Sequence, residues 1–166
     1  MRRTIVVIFV FASLLIPANL TAHAEQRGTT CGLTGTATFQ KGLTLTPAVY
    51  KFGFKGALAD CESTGGLTSG KVVAKGTANA SCEAGTAEGV ATVKWDTKKK
   101  TTIEFSTTDI GASVTLTGEV IKSTEPALVK GDTILGQLAF NADVTQCQTG
   151  LKSADFLGQI GGGSLN

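Results

Sequence analysis

The chain has 166 residues, of which 42% are hydrophobic and only 17% are charged, which suits one domain with one core and excludes a disordered tail. Its 15 Lys and Arg residues exceed its 13 Asp and Glu residues by two, and Arg2 and Arg3 account for that excess. No basic surplus remains in the rest of the chain, so nucleic acid and anionic membrane surfaces are not expected partners.

The first predicted element is a secretory signal peptide over residues 1–24. Met1-Arg2-Arg3 precedes an apolar run from Thr4 to Pro17, and Ala22-His23-Ala24 has the small residues of a cleavage site. The run has about 14 residues, fewer than the roughly 20 that a membrane-spanning helix needs. We therefore expect a secreted, extracellular protein with no membrane insertion and a single domain over residues 25–166.

The sequence predicts no catalytic residues, no cofactor and no metal site. The only histidine, His23, lies within the predicted signal peptide, so the exported chain has no imidazole to act as a base or a metal ligand. The acidic residues Glu88, Glu104 and Glu119 fall on the predicted outer face, and no pair of carboxyls flanks a cleft as a glycosidase would need. We therefore predict that the protein is not an enzyme.

After residue 32, apolar and polar residues alternate with a period of two, which is typical of β-strands with one buried face. This pattern predicts eight strands: Leu33 to Phe39, Tyr50 to Leu58, Val72 to Ala80, Ala87 to Trp95, Ile103 to Thr107, Val114 to Val120, Ile134 to Phe140 and Phe156 to Ile160. The turn-rich segments between most of them are short, so consecutive strands are expected to be antiparallel neighbours.

The inward set of residues in these strands indicates how the sheet closes. It contains all eight aromatic residues that follow the signal peptide, and seven of the eight strands also place a glycine on it: Gly35, Gly56, Gly76, Gly89, Gly118, Gly136 and Gly158. Inward glycines allow sharp coiling of a sheet. We predict an all-β fold, an eight-stranded antiparallel up-and-down β-barrel, with a two-sheet β-sandwich as the alternative.

An eight-stranded barrel either fills its interior with side chains or holds one small ligand. Aromatic residues beside small inward residues favour a non-catalytic barrel that binds a small, largely apolar ligand, although the same residues also suit an ordinary core. Tyr50 and Trp95 have polar tips near strand ends, where we expect the mouth of a cavity of about 300 Å3 or more. The candidate pocket residues are Tyr50, Phe52, Phe54, Trp95, Phe105 and Phe140.

The alternative function is an extracellular structural or protein-interaction domain with a solid core. In that case an extracellular protein would contact an exposed apolar patch on the outer face. The candidate residues for this patch are Val73, Val90, Ile121 and Leu135.

The four cysteines all follow the signal peptide, which favours two disulfides in an oxidising compartment. In an up-and-down barrel, Cys31 and Cys61 fall at one end and Cys82 and Cys147 at the other. Any other pairing would have to cross the barrel, about 25 to 30 Å, against a Cα separation limit of about 7 Å. We predict Cys31–Cys61 and Cys82–Cys147, with a bulge or strand end that brings Cys61 into phase with Cys31.

Four segments resemble those of small secreted disulfide-bonded β proteins of actinobacteria that have no assigned activity. The segments are Cys31-x-Leu33-x-Gly35-x-Ala37-x-Phe39, Leu58-Ala59-Asp60-Cys61, Ala80-Ser81-Cys82 and Gln146-Cys147-x-x-Gly150-Leu151. The resemblance covers nearly the whole exported chain. It implies secretion and a disulfide-bonded β fold, and it implies no function.

Overall fold

The protein is an all-β, closed barrel of eight antiparallel strands in up-and-down order, as the computed structural model of residues 28–164 shows. Each strand pairs with the next along the chain, and β8 closes the barrel against β1. The predicted barrel is confirmed in preference to the sandwich. The predicted signal peptide, residues 1–24, lies outside the described residues. The strands are β1 Gly28–Leu43, β2 Ala48–Ser63, β3 Gly70–Ala80, β4 Ala84–Trp95, β5 Lys100–Ile110, β6 Ser113–Ser123, β7 Thr133–Asn141 and β8 Leu151–Gly163.

All eight strands extend beyond the ranges that alternation predicts. For example, β8 begins at Leu151 instead of Phe156, and β5 ends at Ile110 instead of Thr107. A closed barrel gives every strand two hydrogen-bonding neighbours, so the backbone stays paired through Gly-, Ser- and Thr-rich ends whose side chains are weak strand signals. The segment between β7 and β8, predicted as a turn, also contains a short 3-10 helix, Val144–Gln148.

The alternation places side chains as the pattern predicts. In β3, Val72, Ala74 and Ala78 are buried, whereas Lys71 and Lys75, on the opposite face of the strand, are exposed. Two groups of buried residues, one toward each end of the barrel, both contact three partly buried phenylalanines, Phe54, Phe140 and Phe156. The interior is therefore one continuous apolar core.

Two inward glycines show why the coiled sheet needs this residue. Gly76 faces Gly89 across the β3–β4 pair, and a Cβ atom at position 76 would overlap the Glu88 carbonyl oxygen. A Cβ atom at Gly158 would overlap the Gln137 carbonyl oxygen in the same way. Neighbouring backbones approach too closely at these points for any larger residue.

The two ends of the barrel differ. At the Trp95 end, formed by the β2–β3, β4–β5 and β6–β7 connections, Leu67 and Leu128 are almost completely buried. The Glu125 side chain in the same region is also buried, and it accepts hydrogen bonds from the Thr97 hydroxyl and the Ala127 amide. The Trp95 end is therefore closed by packed loops.

The other end, called the Cys82 end, is formed by the β1–β2, β3–β4, β5–β6 and β7–β8 connections. Here Cys82 is joined to Cys147 in the β7–β8 segment, with a Cα separation of 6.2 Å. Within residues 28–164, no helix has the length and apolar character needed to cross a membrane.

The second disulfide joins Cys31 to Cys61 near the Trp95 end, so both predicted pairs are confirmed. The β1–β2 register shifts between Thr30 and Gly32, and Asp60, beside Cys61, has a positive φ of 49°. This bulge is the irregularity that the pairing requires, because it brings Cys61 into phase with Cys31.

Candidate ligand-binding cavity

The barrel contains an apolar cavity of about 130 Å3. Four of the six predicted pocket residues line it: Phe52, Phe54, Phe105 and Phe140. The rest of its wall is mostly alanine, valine, leucine and isoleucine side chains. Such a wall favours an apolar occupant over a polar one.

The space arises because small and large side chains face each other across the interior. The inward residues of β3 and β4 include Ala74, Ala78, Ala87 and Ala91, all of which line the cavity. The phenylalanines pack edge to face instead of filling the remaining volume, with ring centroids 6.4 Å apart for Phe52–Phe105 and 5.3 Å for Phe140–Phe156.

The cavity reaches the surface at the Cys82 end. Its lining there includes exposed Glu83 from the β3–β4 connection, exposed Ala84 at the start of β4 and exposed Gly111 from the β5–β6 turn. The Gly111 amide donates a 2.7 Å hydrogen bond to the Glu83 carbonyl oxygen, which holds these two turns together. The mouth thus lies beside two connected turns.

The other side of the same end is covered. The Cys82 amide donates a 2.9 Å hydrogen bond to the Thr44 carbonyl oxygen in the β1–β2 connection. The Cys82–Cys147 disulfide adds a covalent link to the β7–β8 segment, where Cys147 is buried. Because these bonds cover the other side, the mouth lies on the side of the barrel formed by β3, β4, β5 and β6.

Tyr50 and Trp95, the residues expected at the mouth, do not line the cavity. Tyr50 is buried at the Cys82 end, with its hydroxyl 3.4 Å from the Thr44 hydroxyl. Trp95 is buried at the closed end, and its indole Nε1 donates a 2.9 Å hydrogen bond to Thr101 Oγ1. The cavity is also smaller than the expected 300 Å3, because aromatic and aliphatic side chains from the strands occupy much of the interior.

Asp109 also lines the cavity, although it lies outside the predicted strand and is not among the candidate pocket residues. It lies on the inward side of β5, in phase with Ile103, Phe105 and Thr107, and it lines the cavity close to the mouth. Its Oδ1 atom is buried, and none of the described residues donates a hydrogen bond to it. The signal was present in the sequence, because the period-two phase of β5 continues through Asp109, but the strand was predicted to end at Thr107.

The apolar surroundings of Asp109 make its charged form less favourable than it is in water. Burial of the carboxyl raises its pKa, because an apolar surrounding disfavours the charged state. The Thr107 side chain interacts with the carboxyl group and lowers the pKa, but this effect is smaller than that of burial, and Oδ1 itself remains without a donor among the described residues. The protein itself therefore leaves part of the hydrogen-bonding capacity of this carboxyl unused.

The outer face carries exposed apolar side chains in separate places. Val73 and Val90 are diagonal neighbours on β3 and β4, whereas Leu135 lies on β7, on the opposite side of the barrel. Ile121, on β6, lies apart from both. The four predicted patch residues are exposed, but they do not form one contiguous surface.

The acidic residues of the outer face are solvated. Glu104 and Glu119 are exposed and face each other across the β5–β6 pair. In the part of the chain that the structure describes, no group of three or more His, Cys, Asp or Glu residues is placed to hold a metal ion.

The chain matches no protein-family model, no curated protein and no solved structure.

Proposed function

We propose that the protein is a secreted, non-catalytic β-barrel that binds a small, largely apolar ligand in the cavity at its Cys82 end. The observation that carries this proposal is the cavity itself, which is apolar, lies inside the barrel and reaches the surface beside Glu83 and Gly111. An unfilled apolar space loses dispersion contacts along its lining, so an occupant of matching shape would stabilise the folded state.

The volume sets the size of the ligand. An apolar cavity of about 150 Å3 can stay dry and bind benzene. At about 130 Å3, this cavity suits one six-membered ring or a short alkyl chain, and larger ligands would have to extend through the mouth. The proposal therefore concerns compact molecules, or the apolar end of longer ones.

Toluene is a suitable probe, because it tests the cavity without any polar contact. We expect toluene to raise the Tm of the wild-type protein, since it binds the folded state only. Ala87→Leu places a larger side chain in the cavity wall and should abolish this rise. Ala57→Leu is the matched control, because Ala57 lies exposed on the outer face of β2 and should leave the rise unchanged.

Absence of a toluene-dependent rise in the wild-type protein would contradict ligand binding and favour the alternative, an extracellular structural or protein-interaction domain. If Ala87→Leu does not fold, Ala87→Val is the milder substitution at the same site. A toluene response that is identical in the Ala87 variant would show that toluene binds elsewhere.

Secretion is supported by the two disulfides, which persist mainly in oxidising compartments. It is also supported by the signal-like sequence of residues 1–24. We expect protein collected from the culture medium to begin at Glu25, which intact mass measurement would detect. An extracellular product that retains Met1 would contradict cleavage after Ala24.

A further inference from the structure

We propose that the cavity selects apolar molecules that carry one protonated amine, with Asp109 binding the ammonium group at the mouth. This inference rests on the proposed function, because it assumes that the cavity takes an apolar ligand. It adds the chemical class of the ligand and the residue that recognises it.

Asp109 has one carboxylate oxygen without a hydrogen-bond partner in the described part of the chain. Asp109 Oδ1 is buried against the cavity, and no residue in the range 28–164 donates a hydrogen bond to it. A buried acceptor without a donor costs free energy, and a ligand N–H group would remove that cost on binding. Asp109 therefore favours a ligand that has a hydrogen-bond donor.

The charged residues of the cavity lining are all acidic. Among the described residues that line the cavity, Asp109 and Glu83 are the only charged ones, and neither Lys nor Arg is present. A carboxylate ligand, such as a fatty acid, would place like charges together at the mouth and would be repelled. An ammonium group would instead form a charge-assisted hydrogen bond, which is stronger than a neutral one.

The polar and apolar parts of the site are a short distance apart along β5. Thr107 and Phe105 precede Asp109 on the inward face of β5 by two and four residues, about 7 Å and 13 Å along a strand. A ring lying at the level of Thr107 would bring an attached aminomethyl group to the carboxyl. One aromatic ring with one short amine arm fits this spacing.

The test compares four probes of similar size by calorimetry at neutral pH: benzylamine, benzyl alcohol, toluene and benzoate. We expect benzylamine to bind the wild-type protein about 10- to 100-fold more tightly than benzyl alcohol, the range typical of a charged hydrogen bond. Benzoate should bind most weakly, because its charge has the same sign as that of Asp109 and Glu83.

Asp109→Asn keeps the size of the side chain and removes its charge. We expect this variant to bind benzylamine no more tightly than benzyl alcohol, with toluene affinity unchanged. Asp60→Asn is the matched control, because Asp60 is exposed near the opposite end and has a positive φ that asparagine tolerates. It should retain the full preference for benzylamine.

The inference would be overturned if the wild-type protein bound benzylamine no better than benzyl alcohol, or if Asp109→Asn kept the preference. Toluene binding without an amine preference would leave the proposed function standing and reject only the role of Asp109. Failure of all four probes to bind would reject both. If Asp109→Asn does not fold, the ratio of benzylamine to benzyl alcohol affinity in the wild-type protein decides the question.

Discussion

Cys82 and Cys147 are joined across the end of the barrel at which the cavity opens. Cys82 lies in the connection between β3 and β4, and Cys147 lies between β7 and β8, half the barrel circumference away. Both connections therefore fold over the interior, and the bond fixes the part of the end that they cover. The other disulfide, Cys31–Cys61, joins two adjacent strands near the closed end.

Replacing both Cys82 and Cys147 by alanine should lower the free energy of unfolding by about 4 kcal/mol, because the bridge closes a loop of 65 residues. It should also weaken toluene binding, since the cover of the cavity loses its covalent link. Urea unfolding and toluene titration of the variant would measure the two effects.

The Cys31→Ala, Cys61→Ala variant is the control for the mouth. The Cys31–Cys61 disulfide closes a loop of 30 residues, which is shorter than the loop closed by Cys82–Cys147. Because the entropic effect grows only with the logarithm of loop length, the variant should lose a similar amount of stability, about 3.5 kcal/mol. Toluene affinity should be retained in the fraction that is folded. Equal weakening of toluene binding in both variants would contradict a specific role for the Cys82–Cys147 bond.

Gly76→Ala should destabilise the barrel by about 1 to 3 kcal/mol, because the new methyl group overlaps the Glu88 carbonyl oxygen and the sheet must shift. Gly53→Ala is the comparison, since its Cβ would meet only Thr38 Oγ1 at 3.6 Å, an ordinary contact. That variant should be neutral or slightly stabilised. Urea unfolding of both variants gives the comparison, and equal stabilities would show that the backbones can move apart at no cost.

The sequence was sufficient to predict the barrel and both disulfides, because these depend on period and order. Alternation identifies which residues face inward, and the parity of an up-and-down chain places Cys31 with Cys61 and Cys82 with Cys147. Even the bulge near Asp60 follows from the pairing, since simple hairpin register leaves Cys61 out of phase with Cys31.

The cavity could not be predicted in the same way. Its volume depends on how Phe52, Phe105 and Phe140 orient their rings, which the order of residues does not specify. The position of the mouth depends on which connections fold over the barrel end. The sequence does not identify Asp109 as a cavity residue, because a polar residue next to a turn is ordinarily solvated. Only the continuation of β5 to Ile110 turns Asp109 inward.

The pKa of Asp109 predicts a pH dependence of stability. Burial raises this pKa in the folded protein, so the folded state holds the proton more tightly than the unfolded state does. The contribution of Asp109 to stability is fully present below its unfolded pKa and is lost as the pH rises through its folded pKa. Asp109→Asn should therefore be more stable than the wild-type protein at neutral pH, because its amide carries no charge that burial could disfavour.

Urea unfolding of the two proteins at about pH 3 and at about pH 7 tests this expectation, and the difference should shrink toward zero in acid. The pKa values of Asp96 and Asp143 are lowered by hydrogen bonds, mainly from Thr68 and Thr145 respectively. Protonation of Asp96 and Asp143 in acid reduces the stability of both proteins equally, so its effect cancels when the two proteins are compared. A difference that stayed constant with pH would contradict the raised pKa of Asp109.

Thr101→Val should destabilise the protein by about 1 to 3 kcal/mol, because it leaves the buried indole N–H of Trp95 without its acceptor. The substitution keeps the shape of the side chain and also removes the 3.0 Å contact with the Ser123 hydroxyl. Thr92→Val is the matched control on the exposed face of β4 and should change stability little. Emission of Trp95, the only tryptophan, would report unfolding in urea.

Because Trp95 lies at the closed end, toluene affinity should be the same in Thr101→Val and Thr92→Val. A loss of toluene binding in Thr101→Val alone would show that the two ends of the barrel are coupled.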